Sequence, residues 1–80
     1  MNIQNPTDDE MDMVKEWMLY NYEYCMQWSS FTLNCTKLAE MAADEYNIYE
    51  DEIEYNIPDW VYDLAIDAEH ELIDDGKCQL

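Results

Sequence analysis

Pro58-Asp59-Trp60-Val61-Tyr62-Asp63-Leu64-Ala65-Ile66-Asp67-Ala68-Glu69-His70-Glu71-Leu72-Ile73-Asp74-Asp75-Gly76 is the stretch that decides the fold. Trp60, Val61, Leu64, Ala65, Ala68 and Leu72 recur at three- and four-residue spacing, the period of one face of an α-helix. Pro58 suits the first helical position, where a missing N–H leaves no helical bond unmade. Gly76 supplies the stop, so the pattern predicts a helix from Pro58 to Asp74 or Asp75. Tyr62, Ile66 and Ile73 form a second, narrower apolar line. It is a candidate docking line for another helix or for a second copy in a homodimer.

The polar positions of this stretch carry the functional signal. Asp59, Asp63, Asp67 and Glu71 are four apart, and Asp74 follows three further on. Four residues advance about 6 Å along a helix axis, so the spacing predicts a nearly straight row of carboxylates. Like charges so placed cost roughly 0.2–0.5 kcal/mol per pair, hence about 1 kcal/mol for the three pairs from Asp59 to Glu71. Acids near the C-terminus also oppose the helix dipole. A local rule broken without visible compensation is expected at functional sites.

Outward from this helix lies an acidic loop, Glu50, Asp51, Glu52 and Glu54. Ile53, Tyr55 and Ile57 alternate there with Glu52, Glu54 and Asn56 at a strand-like period of two. No partner strand is legible, so the segment reads as an ordered loop pinned by its apolar side chains. A second helix is expected to start between Thr32 and Asn34 and run to Tyr46. Its stripe is Cys35, Leu38, Ala39, Ala42, Ala43 and Tyr46, and Asn47 suits a left-handed C-terminal position. Asp44 and Glu45 at its end add to the acidic cluster. Ser29 and Ser30 separate it from a first helix that opens with the capping box Thr7-Asp8-Asp9-Glu10. Apolar spacing through Met11, Val14, Trp17, Met18, Cys25 and Trp28 carries that helix to Trp28. Trp17, Trp28, Tyr20, Tyr22, Tyr24 and Trp60 are core by spacing, with Tyr20 and Tyr22 at the margin as interface anchors. The expectation is one all-α domain over residues 1–80, a small three-helix bundle with an acidic loop between helices 2 and 3.

Composition bounds what such a bundle can do. Twenty Asp and Glu stand against three Lys and no Arg, a formal charge of −17 on 80 residues. High charge alone would signal disorder, but 49% of the residues are hydrophobic, among them three Trp, seven Tyr and six Met. A folded body is expected, stabilised by salt that screens its self-repulsion. Cys25, Cys35 and Cys78 are an odd set without metal-ligand spacing and read as free thiols, with Cys78 exposed near the terminus. Residues Met1 to Glu10 hold no signal-peptide pattern, and no run is long enough to span a membrane. A cytoplasmic protein is expected, repelled by anionic lipid and with no direct nucleic-acid binding.

Chemistry has little to work with. His70 is the one histidine and reads as a surface side chain among carboxylates. The acidic loop lacks the alternating ligands and central glycine of a calcium loop, and a single Gly excludes a glycine-rich phosphate loop. Neither an enzyme, a cofactor nor a metal is expected. Neighbouring phosphates of a DNA strand lie roughly 6–7 Å apart, close to the pitch of the carboxylate row. The row and the acidic cluster could therefore imitate a nucleic-acid charge track for a basic nucleic-acid-binding protein. A solvated acidic face, adaptation to high salt, and binding of a basic protein unrelated to nucleic acid remain open on the same residues.

In size, charge, lack of Arg, and the row from Asp59 to Asp74 with its acidic loop, the chain resembles the small, acidic, phage-encoded inhibitors of the anti-restriction and anti-CRISPR type. The resemblance is one of class. It implies occupation of the DNA- or RNA-binding groove of a host defence complex, in the host cell cytoplasm.

Overall fold

The capping box forms as the sequence dictates. In the computed structural model, which describes residues 5–50, 54 and 56–79, the Thr7 hydroxyl accepts from the Glu10 N–H at 3.1 Å and the Thr7 N–H donates to Glu10 Oε1 at 2.9 Å. Helix α1 (Asp8–Asn21) follows, burying Val14 and Met18. It stops well short of Trp28. The Asn21 amide donates to the Trp17 carbonyl at 2.9 Å, the carbonyl that the Asn21 N–H itself uses in the last helical turn, and such local bonds compete with the helix ladder. The chain tightens into a 3-10 turn, Tyr22–Cys25.

The expected all-α bundle holds only in part, because a short hairpin follows the turn. Strands β1 (Met26–Gln27) and β2 (Thr32–Leu33) pair antiparallel, Met26 opposite Leu33 and Gln27 opposite Thr32. Met26 and Leu33 turn inward and are buried. Strands of two residues are too short to write a period into the sequence. Trp28, placed in the core by helical spacing, instead sits on the hairpin loop and is 59% exposed; Tyr24 and Tyr20 are 68% and 76% exposed. Trp17, Tyr22 and Trp60 are half-buried against the core.

Helix α2 (Cys35–Tyr46) begins at the N-cap Asn34, whose side chain accepts from the Lys37 N–H at 3.1 Å. It ends on Asn47 at φ 53, and the Ile48 N–H donates back to the Ala43 carbonyl at 2.9 Å. This is the Schellman arrangement, and it drives the fully buried Ile48 into the core. The acidic loop closes with the Glu50 N–H on the Asn56 carbonyl at 2.7 Å. Ile48, Ile57 and the buried Pro58 pin it at its two ends; Ile53 and Tyr55, expected to do so, lie outside the described residues.

Helix α3 (Asp59–Asp74) has Pro58 as its N-cap, so it starts one residue later than expected. Val61, Leu64, Ala65, Ala68 and Leu72 are buried on one face. Gly76 takes φ 74 at the stop, and the Lys77 N–H returns to the Leu72 carbonyl at 2.8 Å. The chain then runs onto the hairpin, where the Gln79 N–H donates to the Phe31 carbonyl at 2.7 Å and Gln79 bridges Thr32 in parallel. Cys78 is thereby buried, against the expectation of exposure. The molecule is mainly helical, with three helices and a small two-stranded sheet. Helix α3 packs on both α1 and α2. Ala39, Ala42, Ala43, Ala65 and Ala68 are fully buried, and no charged side chain is buried among the described residues.

All three cysteines are free. Burial, then a hydrogen bond with Glu69, pushes the Cys35 thiol from its ordinary 9.0 up to about 12. Burial likewise raises Cys25 and Cys78. A folded-state value above the unfolded one means that the unfolded chain loses this proton first as pH rises. Stability is therefore intact below pH 9 and falls between about 9 and 12. Denaturant titrations across that range, with Cys35→Ala as reference to remove the tyrosine contribution, should show the wild type losing stability more steeply than the variant.

Candidate functional site

The α3 row is exposed along its whole length: Asp59, Asp63, Asp67, Glu71 and Asp74 all face solvent. A single continuous helix fixes their spacing, so Asp59 and Asp74 stand about 22 Å apart along the axis. The row is less straight than the spacing predicts. Each four-residue step also turns the helix by about 40°, and such ridges incline about 26° to the axis. The line therefore starts opposite the core at Asp59 and Asp63 and swings toward α1 at Glu71. There Lys15 on α1 meets it, Nζ to Glu71 Oε2 at 3.0 Å. Among the described residues this is the one ion pair, and half-exposed pairs of this kind contribute little. Among the same residues no cation pairs with Asp59, Asp63, Asp67 or Asp74.

The acidic cluster extends to α2. Asp44 and Glu45 are exposed on its last turn, and the Tyr49 hydroxyl donates to the Asp44 carboxylate. Glu40, one turn before Asp44, was missed by the sequence reading although it obeys the same four-residue rule. Glu40, Asp44, Tyr49, Asn56, Ile57 and Tyr62 line a shallow groove of about 310 Å³ between α2 and the start of α3. Glu50 and Glu54 are exposed on the loop, Glu54 accepting from the Asn56 amide at 3.1 Å. Asp51 and Glu52 lie outside the described residues. On the other side, Glu16 of α1 shares a groove with Glu71 and Asp75, and Asp8, Asp9, Asp12 and Glu23 are exposed along the α1 segment. Carboxylates thus coat all three helices, and the α3 ridge is their longest ordered line.

The Tyr62, Ile66 and Ile73 line does not form a separate apolar face. Tyr62 and Ile73 are half-buried against the core. Ile66 is 44% exposed, one helical turn from Tyr62 and His70 and flanked by Asp63 and Asp67. His70 is exposed on the same face. Among the described residues no group of three or more His, Cys, Asp or Glu is placed to hold a metal ion. Among the same residues no helix is long and apolar enough to cross a membrane. What the surface offers chemically is fixed negative charge at regular spacing beside one exposed isoleucine.

No family model, no curated protein and no solved structure matches this chain.

Proposed function

We propose that this protein is a stoichiometric inhibitor that presents its carboxylate ridge to the basic nucleic-acid-binding groove of a host defence complex, of the anti-CRISPR or anti-restriction kind, and blocks that groove. The observation that carries the reading is the α3 ridge, five exposed carboxylates on one helix with a single lysine against them. A helix that alternated Glu with Lys would be more stable; this one keeps its repulsion and holds it at phosphate-like pitch. A basic groove would relieve that repulsion on binding, and long-range attraction would speed the encounter at low salt. The protein acts by occupying the groove, with no chemistry and no cofactor, in the cytoplasm of the host cell.

A second reading is favoured by Ile66, whose 44% exposure on an otherwise charged face would suit an ordinary interaction module. A partner would then dock on the Tyr62, Ile66 and Ile73 line without any mimicry.

Displacement of a labelled oligonucleotide from the isolated target separates the two. With Asp63→Lys and Asp67→Lys together, competition should fall by 100-fold or more, on the order of the loss of several charge-assisted contacts. The same double variant should be more stable than wild type at low salt, by about 1–2 kcal/mol, because two repulsive i,i+4 pairs become attractive. Loss of competition in a more stable protein cannot be ascribed to misfolding. Competition left intact by the double variant would remove the mimicry reading, and competition abolished by Ile66→Asp alone would install the interaction module in its place. Wild-type affinity should also drop steeply between low and high ionic strength, measured as inhibition constant against salt; an apolar contact would leave it nearly flat.

A further inference from the structure

We infer that the β1–β2 hairpin tip is a self-association surface on which a second copy of this chain docks. On a chain with 20 acidic residues, the thirteen positions from Tyr24 to Thr36 hold no charged side chain at all, the longest such run in the sequence. The structure folds the middle of this run into a hairpin that buries Met26 and Leu33 and exposes its tip. Trp28 is 59% exposed and Tyr24, at the root of β1, is 68% exposed. The Trp28 and Phe31 rings lie 6.2 Å apart, tilted by 49°. Phe31 holds φ 57, a left-handed conformation that a bulky side chain adopts only under strain. The fold keeps an aromatic ring where glycine or asparagine would sit more easily.

Charge selects the occupant. Two bodies of −17 each repel strongly wherever carboxylates meet, and at physiological salt the repulsion reaches about 8 Å. Contact through Ile66 would set Asp63 and Asp67 of one copy against those of the other. The hairpin tip brings no carboxylate of its own. One lysine stands beside it: Lys37 lies in the first turn of α2, its backbone N–H on the Asn34 cap that follows β2, whereas Lys77 lines the groove with Glu16, Glu71 and Asp75. A basic partner gains nothing from this uncharged tip, whereas a second copy finds there the approach with least repulsion. The docking line Tyr62, Ile66 and Ile73 is thus replaced as the dimer surface. Tyr24, Trp28 and the outer edge of Phe31, which is half-buried against the core, offer about 300 Å² of apolar area per copy, below the roughly 800 Å² per partner of a standard interface, so the dimer is weak and concentration-dependent. The inference stands apart from the inhibitor reading, since it needs no target.

Sedimentation velocity over about 10 µM to 1 mM, at low and high sodium chloride, tests it. The expected result is a reversible monomer–dimer equilibrium that tightens several-fold as salt rises, because salt screens the residual repulsion. That is the opposite sign to ridge binding by a basic groove. Trp28→Ser should weaken the dimer at least about tenfold, by loss of the central aromatic contact, while Trp28→Phe retains it and Ile66→Asp leaves it unchanged. A protein that stays monomeric throughout, a dimer indifferent to Trp28→Ser, one broken by Ile66→Asp, or one that loosens as salt rises would each overturn the inference.

Discussion

The seating of α2 on α3 through small side chains is the contact on which the rest depends. Ala39, Ala42 and Ala43 on α2 and Ala65 and Ala68 on α3 are fully buried, and the Cys35 thiol comes within 3.8 Å of the Ala65 carbonyl. Side chains this short let two helices approach closely, and dispersion between their backbones accumulates where larger residues would hold them apart. Leu38, Ile48, Val61 and Leu72 fill the ends of this seam, and Val14 and Met18 close it from α1. Every one of these groups is apolar. With no buried charge to compensate, the core resists the repulsion of the coat by burial alone, at about 25 cal/mol per Å² of apolar area.

That division decides where the charge goes. The five buried positions of α3 take up one side of the helix, so its other polar positions must all face water. The ridge is therefore a direct consequence of the seam: turn α3 by one residue and Asp63 or Asp67 enters the core. The same constraint rules out a broad apolar docking face. Tyr62 and Ile73, which lie between the seam and the ridge, are drawn down onto the core and leave Ile66 as the lone exposed member of their line.

Helices α2 and α3 were legible in the sequence because each has an uninterrupted apolar period and a residue that ends it, Asn47 and Gly76 at positive φ. The Thr7 and Glu10 capping box was legible for the same kind of reason, a short pattern with a single geometric solution. The end of α1 was not. Cys25 and Trp28 continue the helical spacing past Asn21, but there the period is accidental: Cys25 is buried from a 3-10 turn and Trp28 is thrown onto a hairpin. Periodicity cannot separate a helix from a turn and strand that bury every third or fourth residue, and the Asn21 side chain that bonds the Trp17 carbonyl at the helix end leaves no mark in that period. Within the site, the four-residue spacing from Asp59 to Glu71 and the three-residue step to Asp74 mark five carboxylates that are all exposed. The four-residue rule also applied to Glu40 and Asp44, where it was not used. The curvature of the ridge toward Lys15 required knowing that α1 lies beside α3, which no local pattern states.

The surface that emerges has two ends of different character, and each answers a problem set by the other. A coat of −17 repels anything acidic, a second copy included, wherever carboxylates meet. An uncharged aromatic hairpin placed along the ridge would interrupt its row of carboxylates. Placed beyond the C-terminal end of α3, and fixed there by the Gln79 contact with Phe31, it leaves the track from Asp59 to Asp74 whole. The carboxylates repeat without interruption on α3 while the uncharged run from Tyr24 to Thr36 lies apart from it, and Phe31 at φ 57 takes a left-handed backbone with its ring half-buried against the core.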